Sequence, residues 1–225
     1  MRGAGLARYG SATMLSWIPN ALTLSRCVFA VLVLFGALQA SAAASQLAGA
    51  SGDAALRYAT LEQLWHQFAL LSFISGALTD FVDGWAARAL KAESRFGVWL
   101  DPIADKLLVG FALLALALTL KTWLIYVPAA MIIARDVFMT WLRTRPEASG
   151  VVAPSDLAKL KTGIEMAAIA GLMMPYALIP SGVEQLEGSN PLAWAGAAAL
   201  VLLLWAAAAL SLYTAAQYVR AVRTT

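Results

Sequence analysis

Long apolar segments separated by short polar stretches dominate the hydropathy pattern of this 225-residue chain. An α-helix that crosses a bilayer needs about 17 to 25 predominantly apolar residues. Six segments reach this length, and we expect a membrane-spanning helix in each, with ends placed to within about four residues. They cover residues 21–41, 63–90, 97–120, 122–144, 158–180 and 190–219. The pattern therefore predicts an all-α integral membrane protein with six transmembrane helices.

The first 19 residues differ from these segments because they mix arginines with aromatic and apolar side chains. Arg2, Arg8 and Trp17 suit a short interfacial helix on the cytoplasmic leaflet, although a disordered tail explains the same residues equally well. A cleavable signal peptide is not expected, since no apolar stretch of about 7 to 15 residues precedes Pro19. We therefore divide the chain into an N-terminal interfacial segment, residues 1–19, and one transmembrane domain, residues 20–222.

The composition excludes several classes of protein. Hydrophobic residues make up 61% of the chain and charged residues 13%, whereas soluble domains have about 45 to 50% and about 25%. The single cysteine, Cys27, excludes an internal disulfide, and the single histidine, His66, excludes a zinc site built on several histidines. The net charge of +3 comes without a basic stripe on a polar surface, so we expect no nucleic-acid partner.

The basic residues indicate an orientation in the membrane. If the N-terminus is cytoplasmic and the six helices alternate, only Arg57 and Lys121 lie on the opposite side. Three others, Arg26, Lys106 and Arg135, lie in the cytoplasmic halves of their helices. This asymmetry follows the positive-inside rule and predicts that both termini face the cytoplasm. The bacterial inner membrane is the expected location.

Four aspartates interrupt the facing ends of the second and third predicted helices. Asp80 and Asp83 are spaced i,i+3, and Asp101 and Asp105 are spaced i,i+4, so each pair lies on one helix face. The same two faces carry Gly84, Ala87, Arg88 and Gly97. A short polar loop makes the two helices antiparallel neighbours. We therefore expect the four carboxylates to converge near the cytoplasmic membrane boundary.

Carboxylates at this depth need a balancing charge, because burying an unpaired carboxylate is costly. Mg²⁺ and Mn²⁺ prefer oxygen ligands and commonly lie between carboxylates and substrate phosphates. We expect Asp80, Asp83, Asp101 and Asp105 to bind such ions, with two ions favoured over one. Two alternatives remain open: interhelical ion pairs that specify packing, and a cation or proton relay in a transporter.

The run D-x2-D-G-x2-A-R-x8-G-x3-D-x3-D, from Asp80 to Asp105, resembles the signature of the CDP-alcohol phosphatidyltransferases at every fixed position. The resemblance implies six transmembrane helices, a site that faces the cytoplasm, and transfer of a phosphatidyl group from a CDP-linked lipid to an alcohol with release of CMP. It implies further that the first three aspartates hold divalent metal and that Asp105 acts as the base. A homodimer is expected on the same ground.

Other segments resemble the branch of the family that makes phosphatidylglycerophosphate from CDP-diacylglycerol and glycerol 3-phosphate. These segments are residues 18–26, 100–106, 132–136, 159–162 and 210–218. Glu165 departs from that branch, where a glutamine is expected, and it adds a negative charge near the presumed phosphate pocket. The alternatives within the family are a cardiolipin synthase and enzymes with inositol phosphate or serine as acceptor. Outside it, they are the transporter and a catalytically inactive membrane scaffold.

The reaction requires a nucleotide-lipid site, a base and an acceptor site. Two metals that bridge the aspartates and the diphosphate would stabilise the departing CMP. Residues expected to bind the CDP-lipid are Asn20, Thr23, Asp80, Gly84, Ala87, Arg88 and Gly97. An acceptor that carries its own phosphate also needs a second cationic pocket. Its candidates are Arg26, Arg135, Arg143, Lys159 and Lys161.

Several of these residues also have simpler interpretations. Arg88 can pair with a signature aspartate, and Arg135 can pair with Asp136. Asn20 follows Pro19 and can cap a helix. Plain positive-inside placement accounts equally well for Arg143 and Lys159.

Overall fold

The computed structural model describes residues 17–90, 95–143, 156–179 and 191–224 of the chain. These residues form six α-helices: α1 Trp17–Leu47, α2 Asp53–Leu90, α3 Arg95–Leu120, α4 Trp123–Arg143, α5 Asp156–Leu178 and α6 Pro191–Thr224. The all-helical prediction is thereby confirmed, and each helix overlaps one of the six predicted segments.

The connection between α1 and α2 is shorter than predicted. We expected α1 to end near residue 41 and α2 to begin near residue 63, but α1 continues to Leu47 and α2 begins at Asp53. The predicted boundaries were wrong because hydropathy marks where the most apolar run ends, whereas alanine, the strongest helix former, continues α1 through residues 42–47. The Asp53 carboxylate lies in the first turn of α2, where the helix dipole favours a negative charge. The turn between the helices places Gly52 at a φ of 58°, which glycine adopts without strain.

The N-terminal end of α1 corrects one further prediction. The helix begins at Trp17, so Asn20 lies inside it and does not cap it. Pro19 is tolerated in this first turn because the first amide groups of a helix have no helical partners. Of the predicted interfacial segment, residues 1–16 lie outside the described residues.

α1 has two distinct faces. One face is buried against neighbouring helices and consists of small apolar residues: Ala30, Val33, Ala37 and Ala40. The other is exposed and consists of large apolar residues at helical spacing: Leu24, Val28, Val31, Phe35 and Leu38. An exposed apolar stripe of this length suits contact with lipid, and the small residues allow close helix packing in lipid.

Two glycines mark the closest approaches of α2 to its neighbours. A Cβ atom at Gly36 would lie 3.1 Å from the carbonyl oxygen of Trp65, so α1 and α2 pack backbone against backbone. A Cβ at Gly76 would lie 2.8 Å from a δ-carbon of Leu108 on α3. These contacts hold α1, α2 and α3 together as a unit, and the signature aspartates belong to α2 and α3.

Hydrogen bonds attach α5 to α2. The side-chain amides of Gln63 and Gln67 donate to the carbonyl oxygen of Ala177 at 3.4 and 3.0 Å, and Gln63 also donates to Leu178 at 3.2 Å. The last carbonyls of a helix have no helical partners, and in lipid they need another donor. The two glutamines therefore satisfy the end of α5.

Four of the six helices in the described residues are long and apolar enough to cross a membrane, namely α1, α3, α4 and α6. The remaining two carry more polar residues along their length. α2 includes Glu62 and His66, and α5 includes Lys161 and Glu165, which are 5% and 2% exposed. The chain is thus a helical protein with several helices capable of spanning a bilayer.

Candidate active site

Two of the four signature aspartates have described side chains, and both lie on α3. Asp101 and Asp105 are one helical turn apart and project from the same face. Both are only partly buried, and the Asp105 side chain is 42% exposed. A rigid helix therefore presents two carboxylates to an approaching ligand.

Two buried residues of α1 hold these carboxylates. The Thr23 hydroxyl donates a hydrogen bond to Asp101 Oδ1, and Arg26 Nη1 donates to Asp105 Oδ1 at 2.5 Å. Thr23 and Arg26 are each 1% exposed. The pairs follow the same order along both helices, so α1 and α3 run in the same direction. Thr23 thus lies where a site-lining residue was predicted. Arg26 was predicted to bind the acceptor's phosphate, and the structure places it beside the predicted base instead; its acceptor role stays a prediction.

The remaining signature residues lie on helices, but their side chains are not described. Asp80, Asp83, Gly84, Ala87 and Arg88 fall within α2, and Gly97 falls within α3. Convergence of the four carboxylates accordingly stays a prediction. Within the described part of the chain, no three His, Cys, Asp or Glu residues form a group that could hold a metal ion. Two of the four expected ligands, Asp80 and Asp83, lie outside that set.

A second polar cluster links α4, α5 and α6. Arg135 Nη1 donates to Asp136 Oδ1 at 2.8 Å, and Lys161 Nζ lies 3.7 Å from the same oxygen. Arg135 also donates through Nε to the Ser211 carbonyl at 3.2 Å and through Nη2 to the Thr214 hydroxyl at 3.3 Å. The interpretation that Arg135 pairs with Asp136 is confirmed. The structure also brings together two predicted acceptor residues, Arg135 and Lys161.

The remaining two acceptor candidates, Arg143 and Lys159, lie at the end of α4 and near the start of α5. Arg143 is the last residue of α4, and Lys159 lies in the first turn of α5. Neither side chain is among those described, so the acceptor role of both residues stays a prediction.

Lys106 connects α3 to the second cluster. Its ammonium group donates to the Thr140 hydroxyl and to the Asp136 carbonyl oxygen, the latter at 3.3 Å. These groups form the polar end of a groove of about 530 Å³ between α3 and α4. The groove walls are mostly apolar, with contributions from Leu107 and Phe111. Such a groove has the size and polarity to accommodate a hydrocarbon chain.

Sequence reasoning missed the central position of Asp136. It considered this residue only as a partner for Arg135, yet its carboxylate also lies near Lys161 and its carbonyl accepts from Lys106. An acid beside a base in an apolar segment is the signal that could have identified it. No sequence spacing relates Thr214 to Arg135, because the two residues are on different helices.

Comparison with known proteins is consistent with these features. The family model described as CDP-alcohol phosphatidyltransferase matches residues 16–213. A CDP-diacylglycerol--glycerol-3-phosphate 3-phosphatidyltransferase from Cereibacter sphaeroides is 44% identical over 124 residues, which are 54% of this chain and 53% of that protein. The chain therefore spans about half of that relative's length in the match. Proteins of the same name from Sodalis glossinidius and Escherichia coli K12 are 36% and 34% identical, covering 68% and 71% of this chain and 77% and 81% of theirs.

Proposed function

Because the chain belongs to the CDP-alcohol phosphatidyltransferase family, we propose that it transfers a phosphatidyl group from CDP-diacylglycerol to glycerol 3-phosphate in phospholipid biosynthesis. The products are phosphatidylglycerophosphate and CMP. The names of its relatives support this choice of donor and acceptor. The observation that carries the proposal is the presence of two separate polar sites, the carboxylates on α3 and the cations of a half-buried Arg135 and a buried Lys161. An acceptor that brings its own phosphate needs the second site.

The carboxylates suit a hard divalent cation. Asp101 and Asp105 offer oxygen ligands one turn apart on α3, and both are open enough to accept an ion. With Asp80 and Asp83 on α2 they would hold two Mg²⁺ or Mn²⁺ ions. When bound, the ions supply charge neutralisation at the diphosphate and at the departing CMP.

The chain's own residues then perform the remaining tasks. Asp105 accepts the proton of the acceptor hydroxyl as the base, and Arg26 holds its carboxylate in place. Thr23 holds Asp101 in the same way. Arg88 pairs with the nucleotide phosphates. The remaining members of the nucleotide-lipid site are Asn20, Gly84, Ala87 and Gly97.

The acceptor phosphate binds near the second cluster. Arg135 has a planar guanidinium suited to phosphate oxygens, and Lys161 adds a second cation from α5. Arg143 and Lys159, at the ends of the same two helices, add positive charge at the entrance. The groove between α3 and α4 accommodates an acyl chain of the lipid substrate.

The membrane arrangement is part of the same proposal. All six helices cross the bilayer, with α2 and α5 contributing their polar residues to the protein interior, where charges in a membrane are tolerated. Both termini and the active site face the cytoplasm, as the distribution of basic residues indicates. The protein resides in the bacterial inner membrane and functions as a homodimer.

A substrate panel tests the function. Purified protein in detergent receives CDP-diacylglycerol, Mg²⁺ or Mn²⁺, and one of glycerol 3-phosphate, phosphatidylglycerol, inositol phosphate or serine. We expect CMP release with glycerol 3-phosphate, abolition by chelator, and loss in Asp105→Asn. The matched control is Asp53→Asn, an exposed aspartate at the start of α2, which should retain activity. CMP release only with phosphatidylglycerol would make the protein a cardiolipin synthase. Ion flux into vesicles that contain the purified protein, without CMP release in the panel, would make it a transporter.

A further inference from the structure

The second polar cluster, which we call the acceptor cluster, contains a carboxylate that the proposed reaction does not use. Glu165 lies on α5, one turn beyond Lys161, and is 2% exposed. Its Oε2 lies 3.3 Å from Lys161 Nζ. Its Oε1 is also buried and has no hydrogen-bond partner among the described residues. A buried carboxylate with one unsatisfied oxygen is costly, so its presence calls for an explanation.

Glu165 changes the electrostatic balance of the cluster. Arg135 and Lys161 carry two positive charges, and Asp136 and Glu165 carry two formal negative charges. The group of four is therefore neutral before any ligand arrives. A phosphate dianion that binds there meets two cations already paired with carboxylates. It must compete for their N–H donors and comes to lie near two like charges.

Asp136 and Glu165 differ in how they are held. Asp136 accepts from Arg135 at 2.8 Å and lies 3.7 Å from Lys161, so it belongs to the framework that joins α4 and α5. Glu165 has Lys161 as its ion-pair partner at 3.3 Å, on the same helix. Removal of the Glu165 charge thus releases Lys161 from the nearer of these two carboxylates and leaves its contact with Asp136, which connects α4 and α5.

We propose that Glu165 is an internal counterion that occupies Lys161 while the acceptor site is empty and thereby lowers the affinity of the site for the acceptor's phosphate. This inference rests on the proposed function for its substrate, glycerol 3-phosphate. Glu165 is thus a positioning and affinity-setting residue that acts through Lys161 and takes no part in the chemical step.

The test is Glu165→Gln, which keeps the size of the side chain and an oxygen that accepts from Lys161 but removes the charge. We expect KM for glycerol 3-phosphate to fall roughly tenfold, because a like charge close to a bound dianion has been removed. We expect kcat and KM for CDP-diacylglycerol to stay within about twofold of wild type. If the ion pair between Glu165 and Lys161 has only a structural role, KM for glycerol 3-phosphate should be unchanged or raised in this variant.

Glu62→Gln is the matched control. Glu62 is also a poorly exposed glutamate, and one of its buried oxygens has no hydrogen-bond partner in the described part of the chain, but it lies on α2 beside His66. Its neutralisation should leave KM for glycerol 3-phosphate unchanged. A fall of the same size in Glu62→Gln would contradict a specific role for Glu165. If Glu165→Gln is not recovered folded, Glu165→Met removes the same charge with a side chain of similar length and gives the same expectation.

A binding measurement separates this inference from the proposed function. Inorganic phosphate and glycerol 3-phosphate are titrated calorimetrically into wild type and Glu165→Gln without CDP-lipid. We expect roughly tenfold tighter binding of both ligands to the variant, and loss of that gain in Lys161→Gln/Glu165→Gln. Equal or weaker binding to the variant overturns the inference even if wild type makes phosphatidylglycerophosphate. Tighter phosphate binding in a protein that releases no CMP with glycerol 3-phosphate retains the counterion and overturns the proposed reaction.

Discussion

The pair formed by Arg26 and Asp105 is unequally buried, and this inequality predicts unequal effects of removing either partner. Arg26 is 1% exposed, whereas the Asp105 side chain is 42% exposed. Asp105→Asn removes the negative charge that accepts from the buried guanidinium at Nη1. Arg26→Met leaves a carboxylate that water can still reach and replaces a buried cation with an apolar side chain of similar length.

The magnitudes follow from the exposure of each group. A hydrogen bond between charged groups contributes about 1.5 to 3 kcal/mol, and partial exposure of Asp105 reduces this to about 1 to 2 kcal/mol lost in Asp105→Asn. Removing one partner of an ion pair is costly when the other charge stays buried, but the Asp105 side chain is 42% exposed and water can solvate it. Arg26→Met should therefore change the free energy of unfolding by less than about 1 kcal/mol. The double variant should recover most of the stability that Asp105→Asn loses.

Activity should follow a different order from stability. Asp105→Asn removes the proposed base, and CMP release should fall by about 10² to 10⁴. Arg26→Met keeps the base but loses its positioning, so a decrease of about 10 to 10² is expected. Stability is measured by unfolding in detergent with Mg²⁺ held constant, and activity is measured by CMP release. The reasoning is refuted if Arg26→Met is the less stable single variant, or if the double variant is no more stable than Asp105→Asn.

Four further variants test the packing and the site. Gly36→Ala places a methyl group against a backbone carbonyl and should lower the free energy of unfolding by about 1 to 3 kcal/mol. Gly110→Ala has open space for its methyl group and should raise the free energy of unfolding by up to about 1 kcal/mol. Equal unfolding midpoints for the two variants would contradict this. Gln67→Leu removes the hydrogen bond from Gln67 to the Ala177 carbonyl oxygen, worth about 0.6 kcal/mol, and should speed amide hydrogen exchange at the end of α5. Unchanged exchange would argue against that hydrogen bond. Thr23→Val removes the hydroxyl that donates to Asp101 and should raise the Mg²⁺ concentration needed for half-maximal CMP release about tenfold, without a matching loss of stability. An unchanged Mg²⁺ dependence would exclude a role for Thr23 in holding Asp101 for the metal.

The helices were predictable because hydrophobic segments of bilayer length have few alternatives to helix in lipid. The C-terminal end of α1 and the N-terminal end of α2 were not predictable, since alanine and serine occur both in loops and in packed helices. Burial against a neighbouring helix decides whether such a stretch is helical. Ala43, which lies beyond the predicted end of α1 at residue 41, is 5% exposed and belongs to that helix. A local pattern gives no information about such a neighbour.

The partners of the site residues were less predictable than their positions. The i,i+4 spacing placed Asp101 and Asp105 on one face of a helix, and the structure has them there. Their contacts with Thr23 and Arg26 join residues separated in the chain by 78 and 79 positions. Periodicity describes one helix at a time, whereas these pairs depend on how two helices are placed next to each other.

The two polar sites are joined through α3. Asp105, the proposed base, is followed directly by Lys106, whose ammonium group binds the Asp136 carbonyl and Thr140 on α4. Asp136 in turn lies beside Lys161 in the acceptor cluster. A transfer reaction needs the base and the bound acceptor at a fixed separation, and small displacements cost large factors in rate. Because adjacent residues of α3 contact both sites, a shift of α3 against α4 changes the separation between the base and the acceptor cluster.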